Sequence, residues 1–127
     1  MSYEIKGDIL GFEKTREVDI IKVDEMFSTL IDTKNENISF TMVNPYALRE
    51  YSFDLPASTK SLLEITENSN VHVYVITVIQ KPLEQSAVNF IAPIIVNEDN
   101  KTIGQALLKR VEHPDFGMAE RIKTFLT

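Results

Sequence analysis

The chain has 127 residues, 43% hydrophobic and 25% charged, with two histidines, no cysteine and a net charge of −6. One domain with its own core is expected at this length, and the missing cysteines exclude disulfides, thiolate chemistry and cysteine-ligated zinc. Residues 1–67 hold 13 acids against 7 bases, whereas 68–127 hold six of each, so a direct nucleic-acid contact is not expected and a basic protein partner suits the first half better.

The elements read as strand after strand. Met1–Ile5 is a first strand, ended by Gly7-Asp8. Val18–Val23 and Met26–Ile31 are short apolar runs, and Asp32–Asn37 is a polar turn. Ile38–Val43 alternates apolar and polar residues as a half-buried strand does. Asn44-Pro45 breaks the sheet, because proline has no N–H for a ladder. Tyr51–Leu55 alternates again. Pro56–Glu67 reads as a short helix, with Ser58 as its N-cap and Leu62 and Leu63 on its inner side.

Val71–Ile79 is rich in β-branched residues and apolar on both faces, which predicts a central strand covered on each side. Ala87–Ile91 is a further strand. Pro93–Val96 and Thr102–Leu108 flank the polar hairpin loop Asn97–Lys101. In Met118–Leu126, Met118, Ile122, Phe125 and Leu126 fall on one helical face, so an amphipathic helix is expected over 117–126. The fold class is all-β: a compact antiparallel β-barrel-like single domain, 1–127, with one or two short helices.

Reactive chemistry is sparse. His72 lies inside the strongest strand and His113 precedes Pro114, so packing or rim positions are expected for both. No metal-binding spacing of histidines exists. Asn97, Asp99 and Asn100 lack the spacing and closing glutamate of a calcium loop. No nucleophile–base pair is evident, so no catalytic residue, metal or cofactor is assigned. No apolar stretch approaches a membrane span and no signal-like segment opens the chain, so a cytoplasmic, membrane-free protein is expected, and a monomer because no self-complementary stripe is evident. Binding candidates cluster instead around Asn44-Pro45, where Tyr46, Leu48, Tyr51 and Phe53 mix aromatic and aliphatic groups with an irregular backbone.

Four blocks resemble the FliW-type flagellar assembly factors. Ile9-Leu10-Gly11-Phe12-Glu13 is similar to that family's I-P-G-F-E element, with leucine in place of proline. Val43-Asn44-Pro45-Tyr46 followed by Tyr51-Ser52-Phe53-Asp54-Leu55-Pro56 resembles its NP(F/Y)…YxFx(L/I) block. Val75–Val78 and then Ala87–Asn97 resemble its TV…TANLxAP(I/L)V(I/V)N signature, and Gly104–Leu108 its closing strand. Gly11, Phe12, Asn89, Ala92, Pro93 and Asn97 are expected to serve structure within these blocks. The tail from Glu112 to Thr127 departs from the short ending of the family.

The resemblance implies a β-barrel that exchanges protein partners rather than catalysing. It implies binding to the C-terminal helical region of flagellin and to CsrA, the RNA-binding repressor of flagellin translation. Flagellin occupying the protein would release CsrA. The partner surface is expected at Asn44, Pro45, Tyr46, Leu48 and Phe53, with Glu13, Glu50 and Asp54 on an acidic rim. The alternatives are a general protein-interaction barrel with unrelated partners and a small hydrolase using His72.

Overall fold

The computed structural model describes residues 2–125. Nine strands occur among them: β1 Ser2–Ile5, β2 Glu17–Lys22, β3 Phe27–Asp32, β4 Ser39–Val43, β5 Val71–Val78, β6 Ala87–Val88, β7 Ile94–Asn97, β8 Thr102–Gln105 and β9 Glu120–Arg121. One α-helix, α1, spans Ala57–Leu62, and short 3₁₀ turns cover Pro45–Ala47, Leu83–Gln85 and Ile122–Phe125.

Seven strands close on themselves in the order β4-β3-β2-β1-β8-β7-β5, with β5 pairing back to β4. The antiparallel expectation holds for every pair but one. β1 and β8 run parallel, Glu4 opposite Thr102 and Ile5 opposite Ile103. A parallel pair needs a long connection, and residues 6–101 supply it. β5, the longest strand, binds β4 on one edge. Its other edge is shared end to end, by β7 along Val71–Tyr74 and by β6 along Thr77–Val78. β9 extends the sheet beyond β6.

Alternation along each strand sorts the apolar residues into two layers. Ile5, Val18, Leu30, Phe40, Met42, Ile94, Val96 and Ile103 form one buried cluster that draws on six of the seven strands; β5 adds Tyr74 and Ile76. They fill the barrel, as expected for so small a ring. The opposite faces of β4, β5 and β7 carry Val43, Val75 and Ile95, which are also buried. Residues 45–65 and 106–125 cover them with Leu48, Tyr51, Leu63, Ala106, Leu108, Phe116 and Ile122. The strand buried on both faces is therefore β7 throughout. β5 was expected in that role, but it leaves His72 and Val78 exposed.

Four local expectations differ from the structure. Tyr51–Leu55 forms no ladder; its alternation records Tyr51, Phe53 and Leu55 leaning on the outer wall while Ser52 and Asp54 face water. α1 is shorter than Pro56–Glu67, Ser58 lies within it rather than capping it, and Leu62 is exposed while Leu63 is buried. The strand expected at Ala87–Ile91 ends at Val88, although Asn89 still donates to the Ile76 carbonyl. The amphipathic helix expected over 117–126 is instead the two-residue strand β9 and one 3₁₀ turn, with Met118 exposed and Ile122 buried; Leu126 lies outside the described residues. Glu120 spends its carboxylate on the Gly117 N–H, 2.7 Å away, and Ile122 N–H donates to the Ser86 carbonyl. The first bond shapes the turn within the segment, and the second, with the pairing of β9, holds it against β6 rather than in a helix.

α1 ends in a Schellman arrangement. Ile65 N–H donates to Lys60 O and Glu64 N–H to Ser61 O. Glu64 has φ +56°, the left-handed region that favours glycine. Replacing Glu64 by glycine is expected to raise stability by about 0.5–1 kcal/mol, since relief of the left-handed strain exceeds the entropy glycine adds to the unfolded chain. Urea unfolding of the two proteins checks it; a loss of stability would show that the Glu64 side chain matters more than its backbone.

The signature asparagine at 97 finishes the same helix. Asn97 is buried, and its Nδ2 donates to Leu63 O at 2.9 Å. Asn100 Nδ2 donates to the same carbonyl at 3.0 Å. Asp99 Oδ2 accepts from Asn70 N–H. The Asn97, Asp99 and Asn100 side chains thus tie α1 and the start of β5 to the β7–β8 hairpin. Leu63 itself packs over Gly104, where an added Cβ would stand 3.3 Å from Leu63 Cδ2.

Candidate functional site

β4 ends because Pro45 has no N–H to continue it. Asn44 N–H makes the last cross-link, to Met26 O at 2.7 Å, and Asn44 Oδ1 accepts from Tyr46 N–H at 3.0 Å. That side-chain cap starts the turn Pro45–Ala47 and drives the chain off the barrel rim. Pro45 and Leu48 are buried by the manoeuvre, and Tyr46 is left 54% exposed. Partial burial pushes the Tyr46 phenol above its usual pKa.

Tyr51 lies at the centre of an aromatic cluster. Its hydroxyl donates to Phe90 O at 2.6 Å, and burial pushes its pKa well above the usual phenol range. Its ring centroid is 4.7 Å from Phe116, 5.4 Å from Phe53, 5.7 Å from Phe90 and 6.0 Å from Tyr46. Leu48, Tyr51 and Phe53 therefore pack into the outer layer, against the protein's own side chains. Glu50 and Asp54 are exposed. Asp54 lines a separate groove of about 440 Å³ with Leu107, Lys109 and His113.

Arg49 joins this segment to the chain's end. Its guanidinium sits 5.1 Å from the ring centres of Phe90 and Phe116 and 5.3 Å from Phe125. Arg49 Nη1 donates to Asp115 O at 3.1 Å and lies 3.5 Å from Glu120 Oε2, and both side chains are mostly buried. Sequence reasoning missed Arg49, Phe116 and Glu120, and placed Phe125 only on the face of an expected helix. No local signal marks this cluster, because phenylalanine is no denser after Phe90 than elsewhere in the chain and nothing there names an arginine 41 positions earlier.

Glu13 stands apart. Leu10 and Gly11 occupy the centre of a turn closed by Phe12 N–H to Ile9 O, with Gly11 at φ +88°. The positive φ at the third position is that of a type II turn, which accounts for glycine there. With leucine in place of the family's proline, Leu10 N–H donates to Gln105 Oε1 at 2.9 Å, a bond proline cannot make. Glu13 Oε2 accepts from Gly11 N–H, and backbone hydrogen bonds from its own N–H and that of Gly11 lower its carboxyl pKa. Phe12 packs on Phe40 at the start of β4. Asn44 follows the other end of that strand, so Glu13 does not share a rim with Glu50 and Asp54.

The remaining signature residues sit in the wall. Asn89 Oδ1 accepts from Ile91 N–H. Ala92 and Pro93 are buried, and their carbonyls accept from Gln105 Nε2 and Ala106 N–H respectively. Among the described residues no group of three or more His, Asp and Glu side chains is placed to hold a metal ion. Among the described residues no helix is long and apolar enough to cross a membrane.

These features define a small closed β-barrel whose surface carries shallow grooves beside its turns and connecting segments. The crystal structure of a flagellar assembly factor FliW has the same fold: TM-score 0.84 at 22% identity, covering 95% of this chain and 84% of that one. The family model for FliW protein matches residues 2–121, and the chain belongs to the FliW family. It is 48% identical to flagellar assembly factor FliW 1 of Wolinella succinogenes, across 99% of this chain and 98% of that protein. It is 44% identical to flagellar assembly factor FliW of Sulfurimonas denitrificans (99% and 98%) and to that of Helicobacter pylori strain G27 (99% and 95%). These relatives are named as assembly factors, not as enzymes.

Proposed function

We propose that this protein is a cytoplasmic flagellar assembly factor that binds the C-terminal helical region of flagellin. It antagonises CsrA by exchanging partners, acts as a monomer and carries out no catalysis. The observation that carries the reading is the near full-length identity to relatives named as flagellar assembly factors. The acidic first half suits a basic, RNA-binding partner. Two partners held by one protein compete by mass action, so flagellin accumulation frees CsrA and flagellin export withdraws it.

The exposed positions Tyr46, Glu50 and Asp54, beside the half-buried Asn44 and Phe53 and the buried Pro45 and Leu48, form the proposed partner surface. Glu13 is a second acidic point on the far side of β4. Titrating purified flagellin into a preformed complex with CsrA, followed by size-exclusion chromatography, tests the switch. CsrA should elute free as flagellin is added. Co-elution of all three, or no initial complex, overturns it. Replacing Glu50 and Asp54 together by lysine should weaken CsrA binding by roughly tenfold, because two rim charges change sign at modest salt. Unchanged binding by calorimetry would remove both residues from the surface.

A further inference from the structure

Two adjoining cavities open beside the β2–β3 turn. One, about 190 Å³, is lined by Asn44, Tyr46, His72 and Tyr74 together with Val71 and Val73. The other, about 290 Å³, is lined by Asp24, Glu25, Ser28, Asn44, His72 and Tyr74 together with Lys22 and Met26. The three shared residues make them one groove. Each lobe by itself is below the roughly 300–1,000 Å³ typical of small-molecule sites, so one lobe admits a single inserted side chain.

Its polar groups select that side chain. Asp24 and Glu25 bring two carboxylates, against the one ammonium of Lys22, which lies 3.3 Å from Glu25. Asp24 Oδ1 is committed to the Met26 and Phe27 N–H groups, which fixes the carboxylate in place. Ser28 is 5% exposed, lines the cavity, and its hydroxyl forms no hydrogen bond among the described residues. That hydroxyl opens to the water of the groove, so a group that covers it must replace the hydrogen bond it would lose. The His72 and Tyr74 rings lie 6.5 Å apart at 34°, offering aromatic surface beside the acids. A phosphate or other anion would meet two carboxylates, and an apolar residue would strand Ser28. A guanidinium is planar, carries five donors, pairs with carboxylate and stacks on aromatic rings. An ammonium offers a point charge and no plane to stack.

We infer that this groove receives an arginine side chain from a protein partner. Given the function proposed above, on which this identification of the donor rests, the arginine belongs to the basic partner CsrA. The test uses the whole protein, isotopically labelled, titrated with the blocked tripeptide Gly-Arg-Gly and, separately, with its lysine and citrulline counterparts. Saturable shifts of the Ser28, Asn44, His72 and Tyr74 amides in the millimolar range are expected, largest for arginine and absent for citrulline. They should weaken several-fold in Glu25→Gln and in His72→Ala, both at exposed positions, because each removes one face of the pocket. No shifts at these residues, or equal shifts with citrulline, would overturn the inference. In the complex, the same two substitutions combined should weaken CsrA binding by about tenfold, the scale of one charge-assisted hydrogen bond. A wild-type complex that the substitutions leave equally tight overturns the assignment to CsrA. Failure of the wild-type protein to bind CsrA overturns the functional reading instead, and the peptide titration still decides the groove.

Discussion

Replacing Phe90 by alanine is expected to destabilise the protein by about 3–5 kcal/mol, the usual cost of removing a buried phenylalanine. Phe90 is fully buried in the outer layer. Its ring meets Tyr51 and Phe125, and the Arg49 guanidinium lies over it. Its backbone is pinned on both sides, by Phe90 N–H donating to Gly117 O and by Phe90 O accepting from Tyr51. Those bonds prevent the wall from collapsing into the cavity, which places the cost toward the upper end. Phe90→Leu retains most of the volume and should lose less than half as much. Urea unfolding followed by circular dichroism reads both, and a Phe90→Ala loss under about 1 kcal/mol would show that the layer relaxes around the gap.

Replacing Arg49 by alanine is expected to cost about 2–4 kcal/mol and to loosen the chain's end before the barrel. Breaking a fully buried pair by removing one partner costs about 3–5 kcal/mol, and partial exposure of Arg49 and Glu120 reduces that. The stacked rings add roughly 0.5–2 kcal/mol that alanine forfeits. Arg49→Met keeps the apolar stem among the rings and should recover about half the loss. Glu120→Gln keeps an acceptor for Gly117 N–H and should cost the least. Amide exchange separates this account from general weakening. The Ile122 N–H, bonded to Ser86 O, and the Phe90 N–H, bonded to Gly117 O, should lose protection in Arg49→Ala, while Leu30 and Ile103 in the barrel keep theirs. Equal loss everywhere would mean that Arg49 supports the whole fold and not the terminal segment.

The two variants also probe how far a sequence pattern reaches. β4 was legible from alternation and β5 and β7 from runs of β-branched residues, both of which are local properties. Alternation records which residues turn inward, not which backbone groups pair. Hence Tyr51–Leu55 kept its alternation and formed no ladder. The apolar spacing of Met118, Ile122 and Phe125 fits a helix face, yet Met118 is exposed and only Ile122 is fully buried. A two-residue pairing with Ala87 and Val88 decided the backbone instead.

The candidate site divides in the same way. The Asn44-Pro45 turn was readable because an asparagine cap followed by proline is complete within three residues. The contact between Arg49 and Glu120 spans 71 positions and carries no local mark. Glu13 resembled Glu50 and Asp54 as an acidic residue near an aromatic one, but β4 separates them. His72 looked like a residue of a covered strand, whereas its side chain lines an open groove.

Composition, alternation and four ordered blocks of residues determined the class of fold and the family. Those are properties of short segments, and each segment's preference survives in any arrangement that buries its apolar face. Tertiary structure alone decided the closure of β4 on β5, the parallel union of β1 with β8, and the burial of β7 on both faces. It also decided that the terminal segment folds over Arg49 and that a solvent-facing histidine stands beside Asp24 and Ser28. Each of these is a contact between residues far apart in the chain, and its free energy exists only once the ring has closed.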